Sequence, residues 1–377
     1  MTSTKGIVFL ASVVVLSALT SWGMFFRSRF PPAEMPLVFP QSAAEKKREI
    51  PFRPEDLVWQ EISSSTPWTA RDSHAATVFQ GKIWLTGGLN ANDVTIRAGR
   101  VEYEKAQYFN DIWYSEDGDH WIRALEHAPW PERRSQQLAV FKGKLWLVGG
   151  WGPRGGYAKE IWTSGDGISW QKIIPESISK NSEVGLQKFP EVEGHQLVVF
   201  KDKLWLFGGV RYTDRNLINE VWYTDDGSNW ERAVKNAPWD PRWDHGIVEF
   251  KGSMWLTGGM DLADDEFNDV WRSEDGFRWE RITEHAPWAT RQGHVALVYK
   301  DRLWIIGRLN DVIAGGPNDV WYTEDGYEWK KTKIDPVWLG REDHEALVFK
   351  DAIWVFGGMT SDWKWSNEVW RSSIPGM

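Results

Sequence analysis

The sequence predicts an all-β protein: a six-bladed β-propeller whose N-terminal strand closes the last blade, preceded by one N-terminal hydrophobic helix. Three observations predict it. One strand phrase recurs six times, a second phrase with a tryptophan pair follows the first five copies, and a fragment resembling that pair's second half stands alone near the N-terminus.

The first phrase reads aromatic, three residues, aliphatic, Trp, two residues, Gly-Gly. It runs Phe79–Gly88, Phe141–Gly150, Phe200–Gly209, Phe250–Gly259, Tyr299–Arg308 and Phe349–Gly358, and the fifth copy replaces its second glycine with Arg308. From the third copy onward the spacing is close to 50 residues, the range of one four-stranded propeller blade. The second phrase sets two tryptophans eight residues apart: Trp113/Trp121, Trp162/Trp170, Trp222/Trp230, Trp271/Trp279 and Trp321/Trp329. The Asp-Gly between them is hairpin-turn chemistry. Each repeat therefore supplies a strand A ending at the aromatic, a strand B of Trp-x-x-Gly-Gly, and strands C and D.

The sixth repeat breaks off at Ser373 with no Asp-Gly-x-x-Trp after it. Its missing strand D matches Asp56–Ile62, so the N-terminal strand is expected to complete the last blade. Such closure removes the exposed edges that an open array would carry.

Three regions follow. Residues 1–26 hold a stretch, Gly6 to Phe26, without one charged side chain, long enough to cross a hydrocarbon core as a helix. It reads as a signal-anchor, or as a secretory leader if it is cleaved after Ser21-Trp22-Gly23. Lys5 on one side and Arg27 and Arg29 on the other leave the charge rule for orientation nearly balanced. Residues 27–55, rich in proline and charge, read as a stem. Residues 56–373 are the propeller. The expected location is a membrane-anchored propeller outside the cytoplasm, periplasmic or extracellular, and a secreted one if the segment is removed.

Composition narrows the chemistry. The chain has 28 tryptophans and 14% aromatic residues, which favour strands and large buried areas. A net charge of −9 sets the overall field against nucleic acid. No cysteine is present, which excludes disulfides, thiolate metal sites and thiol nucleophiles together. No nucleophile elbow, phosphate-binding glycine loop or His-Glu-x-x-His occurs, and no cofactor is expected.

Because strands in a blade alternate direction, the D–A and B–C connections share one face, and the A–B and C–D turns share the other. Length variation falls on the first face, where the first repeat inserts Leu89 to Phe109 and the third inserts Pro175 to Glu193. Long variable loops on a rigid scaffold are the usual place for binding. This face also carries the phrase Trp-x-x-Arg-x-x-His: Trp68/Arg71/His74, Trp239/Arg242/His245, Trp288/Arg291/His294 and Trp338/Arg341/His344. The second repeat keeps Trp130 and Arg133 but has Gln136 for histidine, and the third keeps only His195. Each phrase leads into strand A, so its last members are expected near the central channel. The C strands begin beside Asp111, Glu160, Glu220, Asp269, Asp319 and Glu368 on the same face.

Two readings of the phrase stand. In one, each arginine and histidine ties its loop to a neighbouring blade through carboxylates and carbonyls, with Trp stacked on Arg. In the other, they line a polar pocket at the channel mouth, where arginines meet an anionic ligand and tryptophans stack on sugar rings. A metal is not expected, since histidines spread around an axis do not converge tetrahedrally. Departures from the repeat are separate candidates: Arg308, Gln136, Trp151 and the pair Trp363/Trp365. Carboxylate pairs such as Asp264/Asp265 read as solvated.

The diglycine closing strand B and the downstream aromatic–tryptophan pair resemble the Kelch repeat, over roughly Asp56 to Ser373. One departure is consistent, because Trp113, Trp162, Trp222, Trp271, Trp321 and Trp370 stand where Kelch repeats usually place tyrosine. The Ser-x-Asp-Gly-x-x-Trp turns are similar to sialidase Asp-boxes but one residue shorter. The resemblance implies a recognition module that binds a protein or glycan on the variable face. It equally implies an alternative, a carbohydrate-active enzyme such as a sugar-acid mutarotase or epimerase.

Overall fold

The computed structural model describes residues 52–92, 96–97, 100–101, 103–153, 160–173, 189, 191–211, 216–309 and 318–374. The apolar segment Gly6–Phe26 and the stem up to residue 51 lie outside them, as does most of the third repeat's insertion. Among the described residues no helix is long and apolar enough to cross a membrane; the helices present are two short 3-10 turns, Pro54–Asp56 and Tyr103–Lys105.

Six four-stranded antiparallel sheets form among these residues, each in the order A-B-C-D. The A strands are Ala75–Phe79, Gln137–Phe141, Gln196–Phe200, Gly246–Phe250, Val295–Tyr299 and Glu345–Phe349. They neighbour one another in succession, and the sixth neighbours the first. This is a propeller arrangement. In the sixth sheet the outer place is taken by Val58–Ser63, which runs antiparallel to Val369–Ser373 with Trp59 opposite Ser372 and Glu61 opposite Trp370. The N-terminal strand thus sits where the sequence places it.

The repeated spacings have local causes. In every sheet the strand-B indole N–H donates to the carbonyl of the aromatic five residues earlier, as Trp84 Nε1 does to Phe79 O (3.2 Å) and Trp354 Nε1 to Phe349 O (2.9 Å). That bond fastens the A–B turn, whose two central residues take positive φ, for example Gln80 (49°) and Gly81 (74°), the geometry whose twist matches the flanking strands. In the C–D turns the first carboxylate oxygen of the Asp accepts two backbone N–H bonds, as Asp117 does from Asp119 (2.9 Å) and His120 (2.8 Å). Ser115 Oγ meanwhile accepts the Gly118 N–H at 2.7 Å.

Among the described residues six apolar clusters form the core, each filled from two adjacent sheets. One joins Trp68, Ile83, Leu85, Trp113 and Trp121 of the first repeat to Phe349, Trp354 and Phe356 of the sixth. Another seats Leu57, from the N-terminal segment, among Trp304, Val320, Tyr322, Ile353 and Val355. Inter-sheet contact explains the aromatic content, because flat rings fill wedge-shaped space between twisted sheets with few voids.

The first glycine of each Gly-Gly serves the same joints. A Cβ there would strike the ring residue of the next sheet: Gln136 for Gly87 (2.3 Å), His195 for Gly149 (2.4 Å), and His74 of the first sheet for Gly357 of the sixth (2.9 Å). Glycine is therefore required by a close approach, and the pairing runs through all six sheets.

Candidate functional site

The repeated arginines are ion-paired and buried. Arg71 donates to both oxygens of Asp111 (2.6 and 2.9 Å) and to the Gly87 carbonyl (3.0 Å). Arg242 holds Asp269 (2.6 and 2.9 Å) and Gly258 O (2.8 Å), and Arg291 holds Asp319 (2.9 and 3.2 Å) and Gly307 O (3.1 Å). Arg341 donates to Glu368 (2.7 Å) and Gly357 O (2.8 Å). Arg133 bonds Gly149 O at 3.2 Å, with Glu160 at 4.0 Å. The carboxylate in each tight pair also accepts the strand-C indole N–H, as Asp111 does from Trp113 (2.7 Å), which explains why tryptophan stands there. Where the third repeat lacks the arginine, Glu220 takes Arg232 (3.2 Å) and Arg211 (3.6 Å) instead.

These pairs tie the D–A link to strand C of the same sheet, not to a neighbouring sheet as expected. Nor does Trp stack closely on Arg: the Arg71 guanidinium lies 4.1 Å from the Phe109 ring centre and 6.0 Å from that of Trp68. Arg71, Arg242, Arg291 and Arg341 are fully buried and Arg133 nearly so.

The histidines are buried too. His74, His195, His245, His294 and His344 each meet a glycine of the preceding sheet. Burial pushes His195, His245 and His344 down to about 3, with Arg242 and Arg341 adding to it at the last two. Burial and the neighbouring arginine hold His74 and His294 well below the usual imidazole range. They are neutral groups near the channel, as the geometry of strand A anticipates, and not a cationic ring.

The two residues between Arg and His build the mouth. The second of them is Ser73, Ser135, Gly194, Asp244, Gly293 and Asp343, all at φ between 48° and 60°. Their backbones join head to tail across sheets: Ser135 N–H to Ser73 O (2.8 Å), Ser73 to Asp343 (2.8 Å), Asp343 to Gly293 (2.9 Å), Gly293 to Asp244 (2.9 Å), and Asp244 to Gly194 (2.9 Å). The first of the two is Asp72, Arg134, Glu193, Trp243, Gln292 and Glu342. Arg134 pairs with Glu193 at 3.5 Å and lies over the rings of Tyr103 (4.6 Å) and Trp151 (5.4 Å). Burial, then Asp343, pushes Asp72 up to about 8; burial, then Asp343 and Glu193, holds Asp244 well above the carboxylate range, and burial raises Asp343.

Above this ring opens a cleft of about 990 Å³. Arg134, Asp244, Asp343 and Tyr103 lie toward the ring, Met260, Leu309, Met359, Trp243 and Trp363 add apolar surface, and Asp261, Asp264, Asp265 and Glu266 supply acids. Asp264 and Asp265 are exposed, in keeping with solvated carboxylates, yet they border the cleft. Among the described residues Arg308 makes no side-chain hydrogen bond or ion pair, and its Nε is buried without a partner. In the five other sheets the second glycine takes φ of 92–101°; here that conformation shifts to Gly307 (97°). A side chain is strained at such φ, so the substitution is matched by a rerouted backbone that presents Arg308 to the cleft.

Of the remaining candidates, Trp363 is 39% exposed and lines the cleft, whereas Trp365 is 5% exposed inside a cluster with Leu89, Tyr108 and Leu309. Trp151 packs partly buried against Tyr108 (5.8 Å) and Arg134. Gln136 Nε2 donates to Thr86 O (3.0 Å) in the histidine's place. Sequence reasoning passed over Arg134, Asp72, Asp244, Asp343 and Glu342; the signal was the variability of the two residues inside an otherwise constant Arg-x-x-His.

A family model described as the KLHDC2/KLHL20/DRC7 Kelch-repeats domain matches residues 175–358. The solved structure of YjhT is similar at 14% identity and a TM-score of 0.61, covering 82% of this chain and 96% of that one; this likeness concerns the fold. No curated protein matches. The described sheets form a propeller of the Kelch type, and the repeats within residues 175–358 are Kelch repeats.

Proposed function

We propose that the six sheets are the blades of one closed six-bladed propeller, and that it is a recognition module taking a glycan into the mouth cleft. One observation carries this reading: a buried-based arginine without a partner, Arg308, stands in a cleft walled by Trp243 and Trp363. Guanidinium donors suit the hydroxyl and carboxylate oxygens of a sugar, and indole faces suit its apolar side. The N-terminal segment 1–26 would tether the propeller to a membrane through the stem 27–55, outside the cytoplasm.

The test is a glycan array followed by equilibrium titration of the purified chain, Arg308→Gly and Trp363→Ala. Glycine occupies this place in the other repeats, so Arg308→Gly should keep the unfolding midpoint while binding falls at least about ten-fold. Undiminished binding by both variants would refute the assignment. A second reading, an enzyme interconverting forms of a sugar acid, is favoured by Asp244 and Asp343 at the cleft floor, whose carboxyls burial holds above the usual range, the kind of perturbed acid that catalysis uses. Faster exchange of a sugar acid's anomers, seen by NMR on adding the protein, would support it.

A further inference from the structure

Beneath the backbone ring lies a second, smaller chamber of about 90 Å³. It shares Ser135, Asp244 and Asp343 with the cleft above. At a share of about 30 Å³ per water, it has room for about three molecules.

Its lining holds buried polar groups without partners beside three carboxyl groups. Gln136, 1% exposed, uses its amide N–H on Thr86 and leaves Oε1 buried without a partner. His74, 3% exposed, has no partner on either ring nitrogen. Asp244, Asp343 and Glu345 bring three carboxyl groups from the fourth and sixth repeats. Asp343 accepts one bond from Ser73 Oγ (3.1 Å). Glu345 stands at a strand-A position held elsewhere by Ala75, Gln137, Gln196, Gly246 and Val295. Arg134, the cation whose charge acts on Asp244 and Asp343, is engaged with Glu193 and two rings.

We propose that this chamber is a binding site for an ammonium group, free or at the end of an amine ligand entering from the cleft. An ammonium donates hydrogen bonds only, so it matches Gln136 Oε1 and the free lone pair of the His74 ring, and its charge offsets the buried carboxyls. Among the described residues no group of three or more His, Asp or Glu could hold a metal ion, and amide and imidazole acceptors spread over several sheets suit a small donor better. Burial keeps Glu345 at about 8 and raises Asp244 and Asp343, so seating the cation should release protons. The site uses neither Arg308 nor Trp363 and does not rest on the glycan reading.

The experiment compares thermal unfolding and titration calorimetry of the full chain in ammonium, n-butylammonium, tetramethylammonium and sodium chloride at equal ionic strength. Ammonium or n-butylammonium should raise the midpoint, with proton release seen as a dependence of the heat on buffer. Tetramethylammonium, which donates nothing, and sodium should not. An effect of n-butylammonium alone identifies an amine-bearing ligand, and an effect of both admits the free ion. Asp343→Asn, and Gln136→Leu, which removes the unmet amide oxygen, should each weaken the effect about ten-fold. Equal responses to all four salts, or responses unchanged in both variants, would overturn the proposal.

Discussion

Phe52 lies edge-on to Trp304, with ring centroids 6.5 Å apart. The other strand-B tryptophans meet a C–D turn glycine of the following sheet, as Trp354 meets Gly118 and Trp84 meets Gly167. The sixth repeat has no such turn, because its strand D comes from the N-terminus, and Phe52 covers the exposed indole instead. Phe52 also stands 5.6 Å from Tyr299 and lies under Arg302. Phe52→Ala should cost about 1–2 kcal/mol, less than a fully buried phenylalanine, measured as a shift in the denaturant midpoint with the slope unchanged.

Removing the whole closing element should do far more. Deleting residues 51–62 takes away Leu57, which is fully buried, and Trp59, whose ring lies 4.3 Å from Trp338. It also bares the edge of Val369–Ser373. The loss should exceed about 5 kcal/mol and lower the thermal midpoint by roughly 10 °C or more. An unchanged midpoint would mean that the pairing of Trp59 with Ser372 contributes nothing to closure.

The arginines divide into two kinds that mutation should separate. Arg242→Ala leaves Asp269 a buried, unpaired carboxylate and should cost about 3–5 kcal/mol. Arg308→Gly removes a side chain with no partner and should stay within about 1 kcal/mol. Urea titrations of the two variants side by side check this. Equal losses would mean that Arg308 is structural too.

How far the sequence could be read follows from where each feature's information lies. Strand phrases, turns and the N-terminal closing strand depend on residues within one repeat, or on a repeat visibly cut short at Ser373. Arg308 and Trp363 were legible as breaks in a pattern. Asp72, Arg134, Asp244 and Asp343 were not, because each looks like filler inside Arg-x-x-His until consecutive sheets bring them together. The arginine's partner was misplaced for a related reason: Arg71 and Asp111 stand 40 positions apart, and their spacing does not say that strand C begins beside the D–A link of its own sheet. Trp365 and Trp363 look alike in sequence, yet only the path of the B–C loop decides which indole is buried.

Stability should fall on both sides of a mildly acidic optimum, for opposite reasons. An imidazole held at about 3 in the fold, as at His245, binds its proton more readily in the unfolded chain, where it titrates near its ordinary value of about 6.5. Its contribution is complete above that value and is lost as the pH falls from there toward 3, reaching about 2 kcal/mol per group at pH 5. Asp72 behaves oppositely. Held up to about 8, it keeps a proton that the unfolded chain has released above about 3.8, so its cost grows as the pH rises from there toward 8. His245→Gln, borrowing the side chain that Gln136 supplies in the second sheet, should therefore flatten the acid limb by about one proton. Asp72→Asn should stabilise the protein at pH 7 and leave it unchanged below pH 3.8. Denaturation profiles from pH 3 to 9 for the two variants decide the matter: a His245→Gln acid limb as steep as the parent's would mean that this imidazole is protonated in the folded protein.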